Sequence, residues 1–112
     1  MSTTYVPERG DIVWLDFTPQ TGHEQAGRRP AVVLSPLTYN QRAGLMLCVP
    51  ITNQVKGYPF EVQLTGYTTT GVALADQIKS FDWRARRAER KGQTTPEELV
   101  EIMGKIKALL DY

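Results

Sequence analysis

Apolar and polar residues follow one another in short blocks along most of the chain, and the blocks predict strands. Residues 11–17 (DIVWLDF) place Val13, Leu15 and Phe17 on one face and Ile12, Trp14 and Asp16 on the other, between Gly10 and Pro19. Residues 31–34 and 45–51 are continuous apolar runs, the pattern of central strands buried on both faces. Phe60, Val62 and Leu64 alternate with Glu61 and Gln63, so that strand has one wet face. Further strands over 72–81 and 83–88 complete a set of about six, closely spaced as in a small barrel or rolled sheet. Between residues 36 and 43 there is room only for a short helical turn.

The last segment changes period. In TTPEELVEIMGKIKALLDY, Thr95 is a good N-cap, Pro96 suits the first helical position and Glu98 completes a T-x-x-E capping box. Leu99, Ile102, Met103, Ile106, Leu109 and Leu110 recur at helical spacing and predict a stripe packed on the sheet. The fold class is therefore mainly β with a C-terminal helix.

Composition bounds this picture. A chain of 112 residues with 41% apolar and 22% charged residues fits a single domain over 1–112. Such a chain buries roughly 65% of its unfolded surface, a narrow margin that a second copy would widen. The lone Cys48, inside LMLCVPI, reads as a small buried hydrophobe. No signal-peptide pattern opens the chain, and its apolar runs fall far short of the roughly 20 residues of a membrane span, so a soluble cytoplasmic protein with no membrane association is expected.

Charge is more informative in its placement than in its sum of +1. Residues 79–91 hold six basic side chains against two acidic ones, whereas 96–112 hold four acidic against two basic. A basic segment of this kind suits a polyanion ligand, although a solvated edge strand has the same look.

The inventory of reactive groups is sparse. One histidine, one cysteine and no H-x-x-H, C-x-x-C or D-x-D pairing speak against a structural zinc or two-metal site. Neither G-x-x-x-x-G-K-[ST] nor G-x-G-x-x-G occurs, so phosphate-binding loops have no support. What remains are polar residues that end or interrupt apolar strands. They are Glu24, Arg28 and Arg29 before the second strand, Thr52 and Asn53 after the third, Lys56 in a Gly-containing loop, and Asp76, Gln77 and Lys79 within ALADQIKS. Each also has a plain structural reading. Glu24 and Arg29 suit a surface ion pair, Thr52 and Asn53 a turn, and Asp76 the outward side of a strand.

The stretches GDIVWLDF, GHEQAGRRPAVVLSP, VPIT, KGYPFEV, GVALADQIKS and RARRAERKG, in this order and closed by a capped helix, resemble the MazF/PemK family of toxin endoribonucleases, most closely its MazF-type members. The resemblance spans nearly the whole chain. It implies an SH3-like small β-barrel, a homodimer, cleavage of single-stranded RNA without metal or other cofactor, and an antitoxin whose acidic, disordered tail occupies the RNA groove.

Metal-free cleavage uses the RNA's own 2′-OH as nucleophile, so the protein must accept a proton, donate one and stabilise the extra charge on phosphorus. The resemblance assigns catalysis to Arg29, whose planar guanidinium can hold two phosphate oxygens. It adds Thr52, whose hydroxyl can donate to the same phosphate. Glu24, the nearest carboxylate in sequence, is the leading base candidate. His23 matches a histidine of some PemK-type members but a serine in MazF-type ones, which makes it an accessory. Some PemK-type members carry an arginine two residues before Asp-Gln, where this chain has Leu74, so that catalytic set does not transfer whole. His23, Gln25, Arg28, Asn53, Lys56, Asp76, Gln77, Lys79 and Arg86 complete an expected RNA-binding set, with Asp76 and Gln77 suited to base edges and the cations to the backbone. Two other readings of the same barrel stay open: a non-cleaving toxin that poisons gyrase, and a non-catalytic RNA-binding barrel.

Overall fold

The computed structural model describes residues 5–17, 27–65 and 71–111. Among these residues seven antiparallel strands form one curved sheet: β1 (Asp11–Asp16), β2 (Arg28–Val33), β3 (Leu45–Thr52), β4 (Glu61–Leu64), β5 (Gly71–Leu74), β6 (Lys79–Asp82) and β7 (Glu89–Gln93). Helix α1 (Leu37–Ala43) links β2 to β3, and α2 (Pro96–Leu110) closes the chain. The strand order is β4-β5-β3-β2-β1-β7, with β6 also paired to β3. The result is a mainly β half-barrel with a C-terminal helix, the expected class.

β3 organises the sheet. One edge pairs with β2 through Ala31↔Pro50, Val32↔Val49 and Val33↔Cys48. Its other edge pairs first with β6 (Cys48↔Lys79) and then with β5 (Ile51↔Ala73, Thr52↔Val72). Facing residues of antiparallel strands share a side of the sheet and alternate residues change side. One face therefore carries Ile12, Val32, Val49, Ile51, Val62, Leu64 and Ala73, and α2 covers it with the buried Ile102 and Ile106. Burying each isoleucine stabilises the fold by about 2 kcal/mol. The opposite face carries Val13, Leu15, Ala31, Val33, Met46 and Cys48 beneath Trp83, with Tyr5, Phe17 and Phe81 at its margin. Beside this second core sits Asn40 of α1, fully buried. Its side-chain amide donates to the carbonyls of Pro7 (2.7 Å) and Ser35 (3.0 Å), and its main-chain carbonyl accepts Trp83 Nε1–H at 2.8 Å. Burial pushes the Cys48 thiol up to about 12, despite Arg86 and Lys79 nearby, so it is the inert structural thiol expected.

Three expectations about elements need correction. The strand anticipated over 72–81 is two strands separated by a turn in which Gln77 N–H bonds the Leu74 carbonyl at 3.0 Å. Pro50 lies where the partner of β3 changes and has no N–H to give a ladder. No strand forms over 83–88, and 83–87 are turns, because the Asp82 carboxylate captures the Arg84 and Ala85 N–H groups (3.1 and 2.9 Å) and Arg87 takes a φ of 55°. A strand unforeseen in the sequence, β7, follows them and pairs with β1. The helical stripe is narrower than predicted: Met103 is 36% and Leu110 76% exposed, so only the Ile102–Ile106 line is deep core.

Candidate active site

Arg28 and Arg29 open β2 and, as neighbours on a strand, project to opposite faces. Arg28 Nη1 bonds Asp16 Oδ1 (3.0 Å), and its Nη2 reaches the Arg87 carbonyl (2.8 Å) and Glu89 Oε1 (3.3 Å). Asp16 also accepts from Arg87 Nε at 2.9 Å. Hydrogen bonding from Arg87 first, and then from Arg28, holds the Asp16 carboxyl below its usual range. Arg28 thus spends its donors inside the fold, as a brace between β1, β2 and β7.

Arg29 instead is exposed on the face of the second core cluster, opposite Leu15. Arg29 and Thr52 each lie two residues beyond the last bonded pair, Ala31↔Pro50, and by strand alternation both belong to the side of the sheet that carries Ala31 and Pro50. The Thr52 oxygen accepts the Gln54 N–H at 3.1 Å, which leaves its own proton free to donate. The turn expected at Thr52 and a donor role are therefore compatible.

Parity extends the same face across the sheet. Thr52 faces Val72, two residues on is Leu74, and Leu74 faces Glu61. Here an open cleft of about 250 Å³ is lined by Thr52, Gln54, Lys56, Tyr58, Phe60, Glu61, Leu74, Asp76 and Gln77. Four residues expected at the site, Thr52, Lys56, Asp76 and Gln77, so converge on one hollow, whereas Asn53 is exposed and does not line it. The cleft is smaller than most ligand pockets of about 300–1,000 Å³. Tyr58 is 60% exposed, with Lys56 Nζ 6.0 Å from its ring centre, whereas Phe60 packs against the core as expected.

Lys79 faces Cys48 and adds an exposed cation to this side of the sheet. Arg86 is more constrained. Its guanidinium lies 3.9 Å from the Phe81 ring centre and donates to the Asp16 and Phe17 carbonyls (3.0 and 2.9 Å). Much of the basic 79–91 segment is similarly engaged, for Arg90 pairs with the buried Asp11 at 3.4 Å and Arg84 stacks on Trp83. His23, Glu24 and Gln25 lie outside the described residues. Among the described residues no group of three His, Cys, Asp or Glu side chains is placed to hold a metal ion. Gln54 and Glu61 also line the cleft, although no motif in the sequence marks them. Glu61 was legible only as the wet side of a strand, and register is what brings it beside Leu74.

A mainly β half-barrel that sets exposed cations, a free hydroxyl and a partly polar hollow on one face is suited to a polyanion. The particular family follows from comparison with known proteins. Residues 8–110 match the family model of the PemK-like, MazF-like toxins of type II toxin–antitoxin systems. The chain is 59% identical over 110 residues to the endoribonuclease toxin MazF of Escherichia coli (strain K12), covering 98% of this chain and 99% of that protein. The crystal structure of MazF (Form-I) from Deinococcus radiodurans superposes with a TM-score of 0.86 at 53% identity, covering 97% of this chain and 100% of that one. A MazE–MazF crystal structure (Form-II) from the same organism gives 0.85 at 48% identity over 96% and 97% of the two chains. The chain belongs to the PemK-like, MazF-like family and is a MazF-type endoribonuclease toxin of a toxin–antitoxin system. The gyrase-poisoning and non-catalytic readings find no support in these relatives.

Proposed function

We propose that the chain cuts single-stranded RNA at a short recurrent sequence, without a metal ion, and so arrests translation and growth. The observation that carries this reading is that Arg29 and Thr52 end adjacent strands on the same side of the sheet, with Thr52 in the wall of the cleft. The RNA 2′-oxygen attacks phosphorus as its proton passes to a base, for which Glu24 is the candidate. The 5′-oxygen leaves with a proton, giving a 2′,3′-cyclic phosphate and a 5′-OH end. Arg29 stabilises the charge that builds on the non-bridging oxygens, and Thr52 donates to one of them. Lys56 and Lys79 hold the backbone, Asp76, Gln77 and Asn53 read base edges, Tyr58 offers a stacking surface, and His23 and Gln25 assist from the 18–26 segment. Arg28 and Arg86 serve RNA through the fold that they brace.

The MazE–MazF crystal structure from Deinococcus radiodurans supports an antitoxin partner, and an acidic disordered tail on it would compete for the same cationic face. We place the toxin in the cytoplasm, where its substrate is, and as a homodimer. The test is digestion of a long mixed-sequence RNA in excess EDTA, followed by end analysis. Cyclic phosphate ends at one recurrent sequence are expected. Loss of cutting under chelation overturns the metal-free route, and 5′-phosphate ends overturn the 2′-OH route.

A further inference from the structure

The loop that presents Lys56 and Tyr58 to the cleft has little packing of its own: Val55, Lys56, Gly57, Tyr58 and Pro59 are all exposed. Side chains from two other elements hold it instead. Glu61, at the start of β4, receives the Lys56 N–H on Oε2 and the Gly57 N–H on Oε1, each at 3.0 Å. The Glu61 N–H returns to the Tyr58 carbonyl at 3.1 Å, closing a turn with Pro59 at its second position. Gly57 takes a φ of +79°, which lets two successive amides point at one carboxylate. From the other side, Lys105 of α2 donates to the Pro59 carbonyl.

We propose that Glu61 is a positioning residue for RNA, with Lys105 as its second brace: together they fix loop 53–60 so that Lys56 and Tyr58 meet the substrate already in place. This rests on the RNA-cleaving reading above. A loop ordered before binding spares the complex the entropy of ordering it, so the benefit falls on substrate affinity rather than on the chemical step.

Charge gives the proposal a sign that a passive surface residue cannot copy. Glu61 lines a cleft meant for a polyanion, so by electrostatics alone its removal should tighten RNA binding. Positioning predicts the reverse. In Glu61→Ala, KM for a short RNA substrate should rise about tenfold, with kcat within about twofold of wild type. Amide hydrogen exchange at Lys56 and Gly57 should accelerate while the thermal midpoint holds. Glu61→Gln, which keeps one acceptor, should fall between the two, and Lys105→Met should raise KM in the same direction without touching the cleft. An unchanged or lower KM in Glu61→Ala, or unaltered exchange at the two amides, overturns the proposal. A wild-type protein that leaves RNA uncut would sink the functional reading instead, and the exchange measurement would still decide whether the clamp exists.

Discussion

Arg28 and Arg29 are adjacent in sequence and project to opposite faces of the sheet. The first is bonded to Asp16, Glu89 and a main-chain carbonyl, and the second is exposed on the side of the sheet that carries Thr52. Arg29→Ala should therefore fold normally and lower kcat about a hundredfold, the loss typical of one missing transition-state donor. Thr52→Val should behave likewise, with Thr52→Ser retaining most of the activity because the hydroxyl survives. Arg28→Ala should instead lower the thermal midpoint, by about 1 kcal/mol of stability for a partly exposed brace, and leave kcat nearly intact. Single-turnover cleavage and thermal melts of the same preparations separate the cases, and a catalytically dead Arg28→Ala of normal stability would reverse the assignment. The family resemblance singled out Arg29 and Thr52 as candidates in the sequence. The different fate of Arg28 was not legible there, because it depends on Asp16 and Glu89 being brought alongside by strands whose pairing no local pattern reveals.

At the scale of elements, what was legible was what is decided locally. The capping box at Thr95 is present as read: the Thr95 oxygen accepts the Glu98 N–H at 3.1 Å, and Glu98 Oε1 accepts the Thr95 N–H at 2.9 Å. The splitting of 72–81 and the turns at 83–87 were not, since they follow from the change of partner along β3 and from Asp82 folding back on its own chain. Glu98 shows the same division. Its Oε2 also accepts the N–H and hydroxyl of Thr65 at 2.6 and 2.8 Å, so the cap of α2 ties the helix to the end of β4. Desolvation, the largest single influence, pushes the Glu98 carboxyl up, but the hydrogen bonds from Thr95 and Thr65 together outweigh it and hold it below its ordinary 4.5. A depressed carboxylate stabilises the fold above its unfolded pKa, and that contribution is lost as pH falls through the lower folded value. Glu98→Gln should thus lower the melting temperature at pH 7 by about 4–8 °C for a cap of about 1 kcal/mol. The gap to wild type should close as pH falls below the ordinary glutamate range. A gap that stays constant from pH 7 to 3 would remove the ionised cap from the explanation.

Over the whole molecule, the two faces of the sheet are each covered on one part and open on another. The face beneath Trp83 is open where Arg29, Thr52 and the cleft lie, which is where RNA is proposed to bind. The face beneath α2 is open at the start of β3. There Leu45 and Leu47 are 37% and 39% exposed, although they continue the row of Val49 and Ile51. A second copy covering these leucines would supply burial that a chain of 112 residues needs. It would also leave the opposite face free, so that dimerisation and RNA binding use different sides of one sheet. Wild-type protein at micromolar concentration should therefore sediment at about 25 kDa, twice the 12.6 kDa chain. Leu47→Glu should shift it to a monomer, because an unpaired carboxylate buried at a subunit contact is strongly unfavourable. Its circular dichroism should keep the β signature, since Leu47 is outside both core clusters. A wild-type monomer would end the dimer proposal. A Leu47→Glu dimer would move the contact elsewhere, with the exposed Val100 and Leu110 of α2 as the next apolar positions to substitute.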